Sequence, residues 1–270
     1  MNASAPGGWM PRGAFWANAA QSHTGFRWRG FPPYTEPEIT GATAMFELPS
    51  PERLTLYGSF TSSSSYKPML FLALCGEAFS FRTVNLKNGV QREAEYLAVN
   101  RYGTVPALRH RGLTIVHSNP ILDYLARVTK HFEGRTEQER WQAREWLSWE
   151  ADQITNIAKI RHFARFRAVN PMIIDYFRPQ AVAALDFVNA TLANRAWLVG
   201  DNCTIADLSC WGRMVFMAEG GFEIANWPHI VVWSDRLKAM PGFALPYDLI
   251  PKKDHECDAQ PGRALQSDRL

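Results

Sequence analysis

The sequence predicts an α/β region followed by an all-helical one. Three observations carry this. Between Leu54 and Leu125, short apolar runs of strand length alternate with helical periods in the order strand, helix, strand, helix, hairpin, helix. From about Lys130 to Thr136 onward only long helical periods follow. Residues 1–50 show neither period and are broken by Gly7, Gly8, Pro11, Gly30, Pro32, Pro33 and Pro37. The chain is therefore read as a flexible leader over 1–50, an α/β domain over 51–130, a helical domain over 136–250 and a loose, charged tail over 251–270.

Each element has its own signal. In the leader, Arg12, Arg27 and Arg29 precede the first acidic residue, Glu36, a bias that faintly resembles a transit peptide; a flexible leader, or sequence ahead of a start at Met45, accounts for it better. Leu54 and Leu56 open the first strand. A loop with four successive serines follows, then a helix with Ser65 as N-cap, Lys67 and Pro68 in the first turn, Leu70, Ala73 and Leu74 on one face and Gly76 as its stop. Phe79 to Leu86 reads as a second strand and Arg92 to Val99 as a short helix. Val105 to Leu108 and Leu113 to Val116 form a hairpin through Arg111-Gly112. Asn119-Pro120 opens the next helix. In the helical half, Trp146, Trp149, Gln153, Ile157 and Ile160 form one stripe, and Ala181, Val182, Leu185, Val188 and Leu192 another. Thr204 and Asp207 have capping-box spacing, and a last helix runs from Pro228 to before Pro241.

Composition bounds the function. A chain of 270 residues that is 46% apolar and 20% charged is that of a globular protein. A net charge of +3, with cations scattered rather than striped, gives no nucleic-acid footprint. No apolar run is long enough to span a bilayer. Cys75, Cys203, Cys210 and Cys257 form no CxxC and no Cys/His ligand spacing, so no metal centre or disulfide framework is expected, and a reducing cytoplasm suits them.

Four stretches in this order resemble the glutathione S-transferase family: LYGSFTSSSSYKPMLFLAL, TVPAL, HSNPILDYL and WLVGDNCTIADLSCWGR. The resemblance spans about residues 52–250 and is closest to the serine-type, zeta-like branch. It implies a thioredoxin-like N-terminal domain that holds glutathione as co-substrate, followed by an all-helical C-terminal domain that supplies most of the second-substrate pocket, usually in a homodimer. It further implies a cis peptide between Val105 and Pro106, whose backbone pairs with glutathione. Ser118 would take the γ-glutamyl carboxylate, and Gln91 matches a glutathione-contacting residue of the zeta branch. His117 departs from the pattern, standing where the family usually has Glu or Gln near the γ-glutamyl amine. Protonated imidazole would repel that amine, so affinity should weaken at acidic pH.

The chemistry such proteins share is attack by the glutathione thiolate on an electrophile. Lowering the thiol pKa by about two units takes roughly 2.7 kcal/mol of preferential thiolate stabilisation. A hydroxyl donor and helix-terminal amides can supply it. Matching the loop to the zeta-like pattern places Ser62 at the sulfur and Ser64, a further glutathione-binding residue, where that branch has cysteine, with Ser64, Ser63, Ser59 and Tyr57 as competing donors. The second-substrate pocket is expected to include Phe60, Arg161, His162 and Arg165; an arginine there would suit an anionic or carboxylated substrate, or is equally a solvated charge. The absence of cysteine from Ser59 to Tyr66 argues against mixed-disulfide chemistry through the protein. Conjugation to a small, hydrophobic or aromatic electrophile is the leading expectation; isomerisation and ether cleavage are variants of it. The alternative is a family-like binding or interaction module with weak catalysis.

Overall fold

The computed structural model describes residues 50–167 and 171–259. The leader lies outside them apart from Ser50, as do residues 260–270 of the expected tail. β1 (Leu54–Gly58) and β2 (Phe79–Thr83) pair in parallel, which requires a crossover, and α1 (Ser63–Cys75) provides it. Every residue of β1 is buried, as befits the central strand. β2 stops three residues short of the expected strand; a 3₁₀ turn at Val90–Arg92 then leads into α2 (Ala94–Val99). β3 (Ala107–His110) runs antiparallel to β1, and β4 (Leu113–Val116) antiparallel to β3. Arg111 and Gly112 turn this hairpin with φ of 51° and 74°, a pair of left-handed residues suited to a two-residue hairpin loop. α3 (Ser118–Thr129) closes the region.

The tail corrects expectation. Residues His255–Cys257 form a fifth strand, β5, antiparallel to β2, so the sheet order is β4-β3-β1-β2-β5. Arg53 donates to the Cys257 carbonyl at 3.0 Å, and Glu256 pairs with Arg82 at 2.7 Å. A strand of three residues, His-Glu-Cys, carries no period for sequence reading to find.

α4 (Glu137–Trp149) and α5 (Thr155–Phe166) are joined without a break by a π-helical turn at Glu150–Ile154. α6 (Pro171–Leu192), α7 (Ile205–Met214) and α8 (Pro228–Lys238) complete the bundle, and a short α9 (Pro246–Leu249) leads back to the sheet. The expected cap at Thr204 forms. Asp207 accepts from the Thr204 amide and hydroxyl (2.9 and 3.1 Å), the Leu198 amide (2.9 Å) and Trp233 Nε1–H (2.9 Å), pinning the preceding loop and α8 onto α7.

Two other caps differ. α1 begins at Ser63 with Ser62, not Ser65, as N-cap, which moves Pro68 from the first turn into the helix interior. α3 begins at Ser118, and Asn119 lies inside it with its side chain turned to other partners. α1 is also buried on more than the expected face: Met69, Leu70, Phe71, Leu72, Leu74 and Cys75 are all covered, because α7 packs on the side turned away from the sheet.

Candidate active site

Strand register gathers the expected glutathione-binding residues at one end of the sheet. Tyr57 of β1 lies opposite Ala107 of β3, which lies opposite Val116 of β4. The serine loop leaves just after β1, Val105-Pro106 enters just before β3, and His117-Ser118 follows β4. These three segments therefore sit side by side across two strand spacings, about 10 Å. Gly58 also pairs with Thr83, and the chain beyond β2 reaches Gln91. The Val105-Pro106 peptide is cis, as the resemblance implied.

The four serines divide by role. Ser63 is buried and its Oγ accepts from Arg213 Nη1 at 2.9 Å; Ser65 is buried and its Oγ accepts from the Ser59 amide at 3.1 Å. Ser62 and Ser64 remain half-buried at the mouth of the helix. Ser62 Oγ accepts from the Ser65 amide at 3.1 Å, an acceptor role that leaves its own hydroxyl proton free to donate. First-turn amides of α1 lack intrahelical acceptors and add positive potential there. Tyr57, the competing donor, is fully buried with its ring edge on Tyr96 at 6.3 Å, and burial raises its pKa. Ser118 is the buried first residue of α3. His117 sits before it with φ 67° and ψ 141°, strained for a residue with a Cβ, its exposed ring against Tyr102 at 5.1 Å. Gln91 is half-buried, and its Oε1 is buried without a hydrogen-bond partner among the described residues.

The expected second-substrate residues do not form one cationic wall. Arg161 is buried and each of its three nitrogens is engaged: Nε with Glu219 at 2.8 Å, Nη1 with the Thr61 carbonyl at 3.0 Å and Nη2 with the Tyr247 hydroxyl at 3.1 Å. It is a strut between the serine loop and the helices, which corrects its expected role as a substrate cation. Arg165 is more open but pairs with Glu219 at 2.6 Å. His162 is exposed, with Phe163 and Phe166 as ring neighbours. Phe60 packs on Tyr247 at 5.3 Å, and Lys252 Nζ lies 5.0 Å from its ring centre. Tyr247 follows the last helix expected from the sequence and Lys252 lies in the expected loose tail, and no local pattern ties either to Phe60.

Residues 52–127 match the family model for the glutathione S-transferase N-terminal domain and residues 172–241 that for the C-terminal domain, together more than half of the chain. The chain belongs to the glutathione S-transferase family. A solved glutathione S-transferase from Xanthobacter autotrophicus Py2 is 30% identical, with a TM-score of 0.66 over 72% of this chain and 98% of that one. Glutathione S-transferase theta-2 of Mus musculus is 27% identical over 205 residues, 71% of this chain and 83% of that protein. Disulfide-bond oxidoreductase YfcG of Escherichia coli (strain K12) is 25% identical over 187 residues, 66% of this chain and 87% of that protein. The sheet with its following helices is thus the thioredoxin-like and helical pair of the glutathione S-transferase fold, and glutathione is the co-substrate that goes with it.

This glutathione S-transferase also holds a buried polar cluster that sequence reading missed. Glu150, fully buried, receives Lys67 Nζ at 2.7 Å, Asn119 Nδ2 at 2.8 Å, Ser209 Oγ at 3.0 Å and Arg213 Nε at 2.9 Å. Burial alone would raise its pKa, but Lys67 and Arg213 hold it down to about 2. Burial pulls the Lys67 amine below its usual range against the attraction of Glu150. A signal existed. Ala143, Leu147, Glu150, Ile154, Ile157 and Ile160 lie on the buried face of one nearly continuous helix, and Glu150 is the one carboxylate among its buried residues. Among the described residues no helix is long and apolar enough to cross a membrane, and no His, Cys, Asp and Glu group could hold a metal.

Proposed function

We propose that this protein is a glutathione transferase in which the Ser62 hydroxyl donates to the glutathione sulfur and holds it as thiolate for attack on a small hydrophobic or aromatic electrophile. The observation that carries this is the division of the serine run. Ser63 and Ser65 are engaged inside the fold, while Ser62 caps α1 with its proton free. The zeta-like pattern of the loop favours Ser62 over the half-buried Ser64, which lines the same mouth. The Val105 backbone beside Pro106 pairs with the peptide of glutathione, Ser118 takes its γ-glutamyl carboxylate at the start of α3, His117 faces its amine and the unpartnered oxygen of Gln91 accepts from it. Phe60, Tyr247, Arg165 and His162 border the second substrate. The protein works as a cytoplasmic homodimer.

Ser62→Ala should lower kcat/KM for a generic aryl electrophile by about a hundredfold and abolish the thiolate absorbance of bound glutathione. If turnover survives in Ser62→Ala but is lost in Ser64→Ala, the donor is Ser64; if neither variant matters, thiolate stabilisation by the loop is wrong.

A second reading comes from the relative named a disulfide-bond oxidoreductase. Cys75, Cys203 and Cys210 are buried, and the half-buried Cys257 pairs with Phe79 at the opposite end of the sheet with burial pushing its thiol up to about 11, so redox work here would fall to glutathione itself. The bound thiolate would attack a substrate disulfide, form a mixed disulfide with one sulfur and release the other as thiolate. Parallel assays with an aryl halide and a small disulfide separate the two readings by which is turned over.

A further inference from the structure

We propose that Glu150, with Lys67 and Arg213, is the positioning device of the glutathione site, fixing from the helical half the two serines that hold the tripeptide. The inference rests on the assignment of Ser62 and Ser118 above and adds residues that do not touch the ligand.

The cluster ends on the immediate neighbours of both serines. Arg213, held by Glu150 Oε1 through its Nε, donates from Nη1 to Ser63 Oγ at 2.9 Å, the residue after Ser62. Asn119, the residue after Ser118, donates to Glu150 Oε2 at 2.8 Å and to the Leu147 carbonyl at 2.7 Å, and accepts from Lys67 Nζ at 3.1 Å; Ser209 Oγ, 2.8 Å from Asn119 Oδ1, shares its one proton between that oxygen and Glu150. One carboxylate therefore reaches the start of α1 through Arg213 and the start of α3 through Asn119. Those two helix termini are where sulfur and γ-glutamyl carboxylate are assigned.

Placement of the carboxylate is specific. Glu150 opens the π turn between α4 and α5, and such turns re-phase a helix locally, often at functional sites. Lys67 is fully buried, and its stem crosses α7 at Gly212, where an added Cβ would collide with Lys67 Cγ. Only a residue without a Cβ leaves the lysine room to reach. Apolar side chains of similar volume could pack α1, α3, α4 and α7 with no loss of stability, because desolvation offsets most of the attraction in a buried ion pair. What the charges add is direction: a carboxylate with four donors has one low-energy arrangement, and both serine-bearing turns inherit it.

The test measures glutathione KM, electrophile KM, the titration of bound glutathione thiol and the thermal midpoint for wild type, Glu150→Gln, Ser63→Ala and Lys67→Met/Glu150→Gln. In Glu150→Gln we expect glutathione KM to rise about tenfold with electrophile KM within about twofold, and the thiol titration to move up by about half a pH unit. Ser63→Ala, which cuts only the Arg213 link, should raise glutathione KM about threefold with the thermal midpoint within about 2 °C of wild type. The double variant leaves Arg213, half-buried, as the one charge of the cluster, so its midpoint should recover in part while glutathione KM stays high. Recovery of KM together with the midpoint would reduce the cluster to a stability element and overturn the proposal. So would unchanged KM and titration in Glu150→Gln and Ser63→Ala while Ser62→Ala abolishes the thiolate, an outcome that leaves the site assignment standing. A wild-type protein that binds no glutathione would overturn both.

Discussion

Among the described residues two carboxylates are sealed in the helical half of this protein, and they are held in opposite ways. Asp207 is surrounded by neutral donors: two amides, a hydroxyl and an indole N–H. Glu150 is surrounded by two cations, an amide side chain and a hydroxyl. Burial therefore wins at Asp207, whose pKa is pushed up to about 6, while Lys67 and Arg213 overcome it at Glu150. Their partners differ in reach as well. Asp207 ties together residues between Leu198 and Trp233, so it serves the helical half alone. Glu150 joins that half to the starts of α1 and α3. One carboxylate secures a fold, the other a relation between two parts of it.

The contrast is broken most severely by Asp207→Ala. Four buried donors lose their acceptor, and we expect roughly 3–5 kcal/mol of destabilisation in urea unfolding. Glutathione KM of the molecules that remain folded should be unchanged; a raised KM would show that Asp207 also serves the site. Gly212→Ala acts on the other carboxylate by pushing on the Lys67 stem, with an expected cost of about 1–3 kcal/mol for overpacking, accompanied by a higher glutathione KM. An unchanged KM would mean that the Lys67 stem shifts without moving the serine loop.

A smaller effect separates the two by pH. The folded pKa of Glu150 is depressed, so its contribution is present above about pH 4.5 and lost as pH falls toward about 2. Asp207 has a raised folded pKa, so the native state holds more protons than the unfolded chain between about pH 4 and 6, and its contribution declines as pH rises through that window. Stability curves of Glu150→Gln and Asp207→Asn against wild type should show these opposite differences. Curves parallel to wild type across pH 2–6 would refute the assignment for the variant concerned.

This division also explains what could be read in advance. Thr204 and Asp207 are three residues apart, and the cap they form is a local rule written in local spacing. The succession of strands and helices from β1 to α3, the Arg111-Gly112 turn, Gly76 as a helix stop and the cis proline were legible for the same reason, or through motifs of short span. Glu150 draws on Lys67, Asn119, Ser209 and Arg213, and no window contains that set. Arg161 failed in the same manner: on its helix it looked like a free cation, and only folding brings Thr61, Glu219 and Tyr247 to its three nitrogens. Ser62 took the cap expected of Ser65 within a legible loop, because either serine can cap and only packing decides which hydroxyl the Ser59 amide takes.

The three residues of β5 have a bearing on solubility rather than chemistry. Without them β2 would present unpaired amides and carbonyls along its outer side, an open template for a strand of another molecule. With Phe79–Phe81 paired to His255–Cys257, and Arg53 and Arg82 clamping that pairing through Cys257 and Glu256, that side is closed by the protein's own chain. Among the described residues the sheet is left with β4 as its open border, four residues long and reversed at once by the hairpin and by α3, a poor seed for growth.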